Sequence, residues 1–132
     1  MRNFDEETIR VITAFENITG TEVRDCLCFD IVYFIVNPGK IALTIGKNGH
    51  NIKTAEKMLG KPIKVFEWSE DDKEFLKNMI CKAQKIEIKD EKATVTINRE
   101  DRGSVIGKEG CNIKAIRELL TMNSDIKELK IL

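Results

Sequence analysis

Apolar residues in the first half of the chain follow two different periods. Between residues 5 and 20 they recur every three or four positions, which predicts an amphipathic helix that ends at Gly20. Two apolar runs of strand composition follow, and Pro38 and Gly39 interrupt them before a helical period returns. After the first helix, the predicted elements are strands at 23–30 and 31–37 around a turn at Asp30, helices at 40–45 and 50–59, and a strand at 61–68.

The second half shows the same succession of periods. Ser69, followed three residues later by Asp72, is a typical N-terminal signal for a helix over residues 71–83. The pattern then predicts strands at 85–90 and 93–98, helices at 99–106 and 111–120, and a strand at 125–132. Each half is therefore predicted to run helix–strand–strand–helix–helix–strand, which makes the chain an α/β (α+β) protein.

The two halves also share a sequence motif. Ile45–Leu59 aligns without a gap with Ile106–Leu120, 61 positions later, and eight of the fifteen positions are identical. A repeat of this kind indicates an internal duplication. The sequence therefore predicts two domains, residues 1–67 and 68–132, each of which is small for independent folding.

Composition narrows the class of protein. The net formal charge is zero, but residues 1–30 carry −4 and residues 38–64 carry +5, so the charge is segregated along the chain. A locally basic stretch can attract a polyanion even when the total charge is zero. The chain contains no apolar run of the roughly 18–20 residues that a membrane span requires. We therefore expect a cytoplasmic protein with reduced cysteines and no membrane partner.

The core of the repeated motif is a pair of glycines three residues apart, Gly46 with Gly49 and Gly107 with Gly110. One interpretation is a structural corner between two helices, where glycine supplies a positive φ. The other is a platform over which a phosphate chain passes close to the backbone and to the N-terminus of the next helix. A corner does not require lysine at matching positions in both copies, and the lysines favour the platform: Lys47, Lys53, Lys108 and Lys114.

A nucleotide-binding P-loop is the obvious competitor, and the spacing excludes it. The P-loop pattern GxxxxGK[ST] needs a glycine five positions before the second one, where this chain has Ile41 and Arg102. The hydroxyl residue that would bind magnesium is replaced by Asn48 and Glu109. A polymer backbone is therefore a better candidate ligand than a triphosphate.

The pattern I-G-x-x-G-x-x-I between two short helices resembles the signature of the K-homology (KH) domain, and both copies match it. The helix and strand that precede the core in each half resemble the type II, or prokaryotic, topology, which implies helices packed on one face of a three-stranded sheet. A chain of two such domains is similar to the short archaeal relatives of the transcription factor NusA. The polymerase-binding N-terminal domain and the S1 domain of bacterial NusA have no counterpart here, which weakens the expectation of polymerase contact but not of RNA binding.

This resemblance implies a function in transcription elongation or termination, with single-stranded RNA as the partner and RNA polymerase as a second candidate. The GxxG loops would clamp the backbone of a few nucleotides beside an aliphatic groove floor of Ile41, Ile45, Ile52, Val105, Ile106 and Ile113. We expect a monomer without cofactor or metal. The implied RNA-binding residues are Ile45, Gly46, Lys47, Asn48, Gly49, Asn51, Ile52 and Lys53, together with Ile106, Gly107, Lys108, Glu109, Gly110, Asn112, Ile113 and Lys114.

Other candidate chemistry is weaker. Cys26 and Cys28 lie two apart on a strand and are interpreted as small buried hydrophobic residues, since no finger-like set of further ligands accompanies them. No nucleophile has a base and an orienting group at suitable spacing, so we do not expect an enzyme. Trp68 is interpreted as a packing residue between the domains rather than as a stacking platform for RNA. A ribosome-associated or RNA-processing role, and an adaptor whose loops are only corners, remain alternatives.

Overall fold

The computed structural model describes residues 4–132, and the chain forms two units that meet in sequence between Trp68 and Ser69. The first unit contains α1 (Glu6–Thr19), β1 (Val23–Cys28), β2 (Val32–Val36), α2 (Ile41–Ile45), α3 (His50–Leu59) and β3 (Ile63–Glu67). The second contains α4 (Asp72–Met79), β4 (Ala83–Lys89), β5 (Lys92–Ile97), α5 (Arg102–Ile106), α6 (Cys111–Asn123) and β6 (Glu128–Ile131). The predicted order of elements is confirmed in both halves. The first three residues of the predicted domain 1–67 lie outside the described part.

Each unit is built on a three-stranded sheet with the same topology. In the first unit β2 pairs antiparallel with β1 and parallel with β3, and in the second β5 pairs in the same way with β4 and β6. A parallel pair requires a crossover connection, which the two helices and their loop supply in each unit. The loop with its two glycines therefore lies in the middle of the crossover.

The core of the first unit lies between its helices and one face of its sheet. The rings of Phe15 on α1 and Phe34 on β2 stack with centroids 3.8 Å apart, and neither ring is exposed. Ala55 of α3 is buried in the same cluster, so α1 and α3 cover the same face of the sheet. The rest of the buried cluster consists of Cys26, Val32 and Ile63.

The bounds of α1 follow from its capping residues. The Asp5 carboxylate accepts a hydrogen bond from the backbone N–H of Thr8 at 2.7 Å, and this bond lowers the pKa of Asp5. At the other end Gly20 adopts a left-handed conformation with φ of 70°, and its N–H donates to the carbonyl of Glu16. The predicted stop at Gly20 is confirmed.

A chain of buried threonine hydroxyls connects the end of α1 to α2. The Thr21 hydroxyl lies 2.8 Å from that of Thr19 and 3.0 Å from that of Thr44. All three residues are buried, so each hydroxyl needs a partner inside the protein. This chain anchors α2, the helix that leads into the first loop.

Several helix bounds in the second unit differ from the prediction. The N-cap of α4 is Asp71, whose carboxylate accepts from the N–H of Lys73 at 3.2 Å, whereas the Ser69 hydroxyl accepts from the N–H of Asp71. The helix ends at Met79, not at residue 83, because Ala83 already pairs with Ile97 in the sheet. The helix predicted at 111–120 continues instead to Asn123, so the tertiary structure shortens one helix and lengthens the other.

Candidate nucleic-acid interface

The two glycine loops have nearly the same backbone conformation. Gly46 and Gly107 have φ/ψ of 79°/168° and 79°/172°, and each begins a single 3-10 turn that leads into α3 or α6. The last glycines, Gly49 and Gly110, are left-handed at 73°/16° and 75°/13°. Two segments 61 residues apart therefore fold into the same local structure, as the repeat indicates.

The first glycine of each loop is required by space as well as by dihedral angle. A Cβ atom on Gly107 would lie 2.7 Å from Cβ and 2.9 Å from the backbone N of Asn112. A Cβ atom on Gly46 would lie 2.8 Å from Cγ of Asn51. These distances are shorter than any carbon contact allows, so only glycine fits, in a dihedral region that other residues hardly visit.

The last glycine of each loop is less constrained. At Gly49 and Gly110 the nearest atom to an added Cβ would be the Cε atom of Lys53 or Lys114, at 3.8 Å in both cases. The residue before each of these glycines, Asn48 or Glu109, already adopts a left-handed conformation with φ of 55°. This end of the loop is therefore open, and a side chain there would project into the space above the loop.

In each unit, one asparagine connects the two helices on either side of the loop. The Asn51 amide donates to the carbonyl of Leu43 at 2.9 Å, and the Asn112 amide donates to the carbonyl of Val105 at 2.8 Å. Asn112 is only 6% exposed. Both asparagines therefore maintain the loop shape, a role that the matching sequence positions did not reveal.

The loops carry lysines that form no ion pairs with the described residues. Lys47 and Lys108 lie inside the 3-10 turns and are exposed, as are Lys53 and Lys114 one turn into the helices. In residues 4–132, none of these four lysines forms an ion pair. The charge at each loop is therefore available to an anionic ligand from solution.

The N-termini of α3 and α6 strengthen this preference for anions. Their N-cap residues, Gly49 and Gly110, have no side chain that could bond to the first N–H groups of the helix. Uncapped N–H groups and the positive end of the helix dipole attract anions. The lysines and the helix ends thus act on the same small region of each loop.

The apolar residues predicted beside the loops divide between surface and core. Ile45 is 40% exposed, Ile41, Ile52 and Ile106 are half-buried, whereas Val105 and Ile113 are buried. Leu43, two residues before Ile45 on α2, is 53% exposed and was not in the predicted set. The missed signal is that residues 41, 43 and 45 of a five-residue helix cannot all face one core. Next to its loop, the first unit thus exposes more aliphatic side chains than the second unit does.

The remaining candidates from the sequence, Cys26, Cys28 and Trp68, lie outside the loops. Cys26 is buried and its sulfur lies 3.8 Å from that of Cys28, as expected of packed thiols, and no group of three or more His, Cys, Asp or Glu in residues 4–132 could hold a metal ion. The Arg24 guanidinium lies 3.6 Å from the centre of the Trp68 ring and covers one of its faces. The described helices include none that is long and apolar enough to cross a membrane.

Acidic side chains gather at the start of α4, away from the second loop in sequence. Burial raises the pKa of Asp72, and the nearby carboxylates of Asp125 and Asp71 raise it further, although the backbone of Asp125 donates a hydrogen bond to it. Asp71 and Asp72 line a shallow cavity together with Glu70 and Glu87. Lys73 lines this cavity too and Glu87 pairs with Lys85 at 2.7 Å, so the acidic charge here is only partly compensated and this face favours a polyanion less than the loops do.

Known proteins resemble this chain in sequence and in fold. The family model of the NusA-like second KH domain matches residues 72–132. The probable transcription termination protein NusA of Methanocaldococcus jannaschii is 33% identical over 96% of this chain and 73% of its own length. The protein with the same name from Halococcus morrhuae is 29% identical, over 96% of this chain and 95% of its own length.

A solved structure shows the same fold over nearly the whole chain. The crystal structure of APE1850 superposes with a TM-score of 0.75 at 27% sequence identity, and the match covers 98% of this chain and 100% of that one. The family match contains the second glycine loop, and the relatives cover both loops. The chain therefore belongs to the NusA-like family of KH-domain proteins.

Proposed function

We propose that this protein binds single-stranded RNA through its two glycine loops and acts in the cytoplasm in transcription termination. The observation that carries the proposal is the duplicated loop, which combines the same backbone conformation with exposed, unpaired lysines in both copies. The names of the relatives, probable transcription termination proteins, support the cellular role. The role is one of binding, in which no covalent bond is made or broken.

In the proposed complex, the phosphate backbone passes over the open end of each loop. Lys47 and Lys108 would contact phosphate oxygens directly, and Lys53 and Lys114 would do so from the first turn of the following helix. Gly46 and Gly107 would contribute shape, since Asn51 and Asn112 occupy the space that a Cβ atom would need there. The division between shaping and contacting residues refines the set predicted from the sequence.

The bases would lie against the aliphatic surface next to the loop. In the first unit this surface includes Ile45 and the half-buried Ile52, and Leu43 is a further exposed apolar residue on α2. The corresponding positions in the second unit are Ser104, Ile106 and the buried Ile113, which offer less apolar area. The first unit is therefore proposed to make the stronger apolar contacts with bases.

The two predicted domains, residues 1–67 and 68–132, are proposed to act as two KH sites on one RNA strand. Binding at one loop raises the effective concentration of the same strand at the other. A short RNA that reaches only one loop gains nothing from this linkage. Affinity should therefore depend on RNA length.

Fluorescence anisotropy with unstructured RNAs from about four to about thirty nucleotides tests the proposal, since a KH loop clamps about four. We expect affinity to rise by at least about tenfold above a threshold length and to fall steeply with salt. A perfect RNA duplex, whose bases are already paired, is the control and should bind more weakly. Equal binding of the duplex, or no binding of any single strand, would refute the proposed function.

The two loops should contribute unequally to the affinity. Glu109 lies next to Lys108 and cancels part of its charge, whereas the matching neighbour of Lys47 is the neutral Asn48. We therefore expect Lys47→Asp to weaken binding more than Lys108→Asp. Conversely, Glu109→Asn should tighten binding by about two- to fivefold, the effect of one exposed charge. Equal losses for the two lysine variants in the same assay would contradict this asymmetry.

A further inference from the structure

A cavity of about 320 Å³ lies between α6 and the start of β6 in the second unit. Its wall includes Arg117, whose Nε–H donates to the backbone carbonyl of Leu129 at 3.3 Å. No other described residue bonds to this guanidinium, so its remaining four N–H donors are available. The floor is apolar, with Leu120 and Leu129.

Among the charged residues that line this cavity, Arg117 is the one that has no partner of opposite charge in the described part of the chain. Lys127 lies 4.0 Å from Glu91, and Glu128 lies 3.7 Å from Lys92, so each of these charges has a partner of opposite sign. Arg117 forms no ion pair within residues 4–132. An exposed guanidinium without a carboxylate presents a flat fork of donors suited to a phosphate.

The first unit has the opposite arrangement at the same place. Glu56 is the residue 61 positions before Arg117, and its carboxylate accepts a hydrogen bond from the backbone N–H of Ile63 at 2.9 Å. Ile63 and Leu129 occupy equivalent places in the two sheets, since Ile63 pairs with Val32 and Leu129 pairs with Ala93, the residue 61 positions after Val32. The duplicated fold thus places an anion in one unit and a cation in the other.

The position of Arg117 relates this cavity to the second loop. Arg117 lies seven residues after Gly110 on α6, which corresponds to about 10 Å along the helix axis. A strand that leaves the loop along α6 therefore reaches the guanidinium within a few nucleotides.

We propose that the Arg117 cavity is a second phosphate site of the second unit, which binds the RNA backbone beyond the glycine loop. The inference rests on the proposed function. The second unit would then offset the weaker charge of its loop, where Glu109 opposes Lys108, with a contact that the first unit lacks. The ligand is a phosphate of the same RNA strand, held by the guanidinium fork of Arg117.

The test separates the charge of Arg117 from its hydrogen bond to Leu129. Arg117→Gln removes the charge but retains a donor for the carbonyl, and Arg117→Lys retains the charge. With a thirty-nucleotide RNA, we expect Arg117→Gln to weaken binding by about fivefold and to reduce the salt slope by about 0.7, as the loss of one phosphate contact on a single strand does. Arg117→Lys should keep the salt slope of the wild type.

A matched control removes the same charge elsewhere. Arg10 on α1 pairs with Glu6 at 2.7 Å, so Arg10→Gln should leave both affinity and slope unchanged. An unchanged salt slope in Arg117→Gln would overturn the inference. If Arg117→Gln and Arg117→Lys weakened binding equally at that unchanged slope, the role of Arg117 would be structural only. If the wild type binds RNA through its loops while Arg117→Gln is neutral, the inference alone fails. If the wild type binds no RNA, the proposed function fails with it.

Discussion

A chain with aspartate at both Gly49 and Gly110 is expected to bind single-stranded RNA at least about a hundredfold more weakly than the wild type. Both glycines lie at the open end of their loops, where an added Cβ meets nothing closer than 3.8 Å. Each aspartate places a carboxylate where a phosphate is proposed to pass. The repulsion between each carboxylate and the phosphate is expected to weaken binding by about tenfold at each loop. The two free-energy costs add when one strand crosses both loops, which gives about a hundredfold in total.

The fold should survive this double substitution. Gly49 and Gly110 are left-handed, a conformation that Asp and Asn tolerate better than most residues. The matched control is therefore Gly49→Asn with Gly110→Asn, which has nearly the same size and no charge. Anisotropy should show a much smaller loss for the asparagine pair, with circular dichroism to check that both variants are folded. Wild-type affinity in a folded aspartate variant would place the RNA elsewhere.

The second large effect concerns stability rather than binding. Gly107→Ala is expected to lower the free energy of unfolding of the second unit by about 2–4 kcal/mol. About 1–3 kcal/mol comes from a non-glycine residue in a dihedral region essentially restricted to glycine. Displacement of the backbone of Asn112, only 2.9 Å from the new Cβ, adds to this cost. The asparagine that ties α5 to α6 would have to move with it.

Gly103 provides the matched control for that experiment. It lies within α5 with no atom within 4 Å of an added Cβ and with a negative φ. Gly103→Ala should therefore stabilise the helix by about 0.4–1 kcal/mol, because alanine restricts the unfolded chain and favours the helix. Urea unfolding measures both variants. Equal stabilities for Gly107→Ala and Gly103→Ala would show that the loop does not require its first glycine.

Periodicity was sufficient for the order of the elements but not for all of their ends. The bounds of α3 were predicted correctly because Gly49 and Gly60 punctuate the chain on both sides. The end of α4 was not, because residues 80–83 have helix-compatible side chains and no stop signal. What ends that helix is the pairing of Ala83 with Ile97, a contact between residues far apart in sequence.

Some features of the candidate site were likewise determined by the sequence, and others only by the structure. The repeat by itself determined where the two loops lie, that they share a backbone conformation, and that four lysines surround them, since φ, ψ and charge are properties of short segments. Only the atomic structure of each loop showed that Asn51 and Asn112 leave Gly46 and Gly107 no room for a side chain, whereas Gly49 and Gly110 have room. The tertiary structure decided which residues are buried. It also decided that equivalent residues take different roles, as with the half-buried Ile52 and the buried Ile113. Burial and hydrogen-bond partners depend on which distant elements pack together, and no local pattern contains that information.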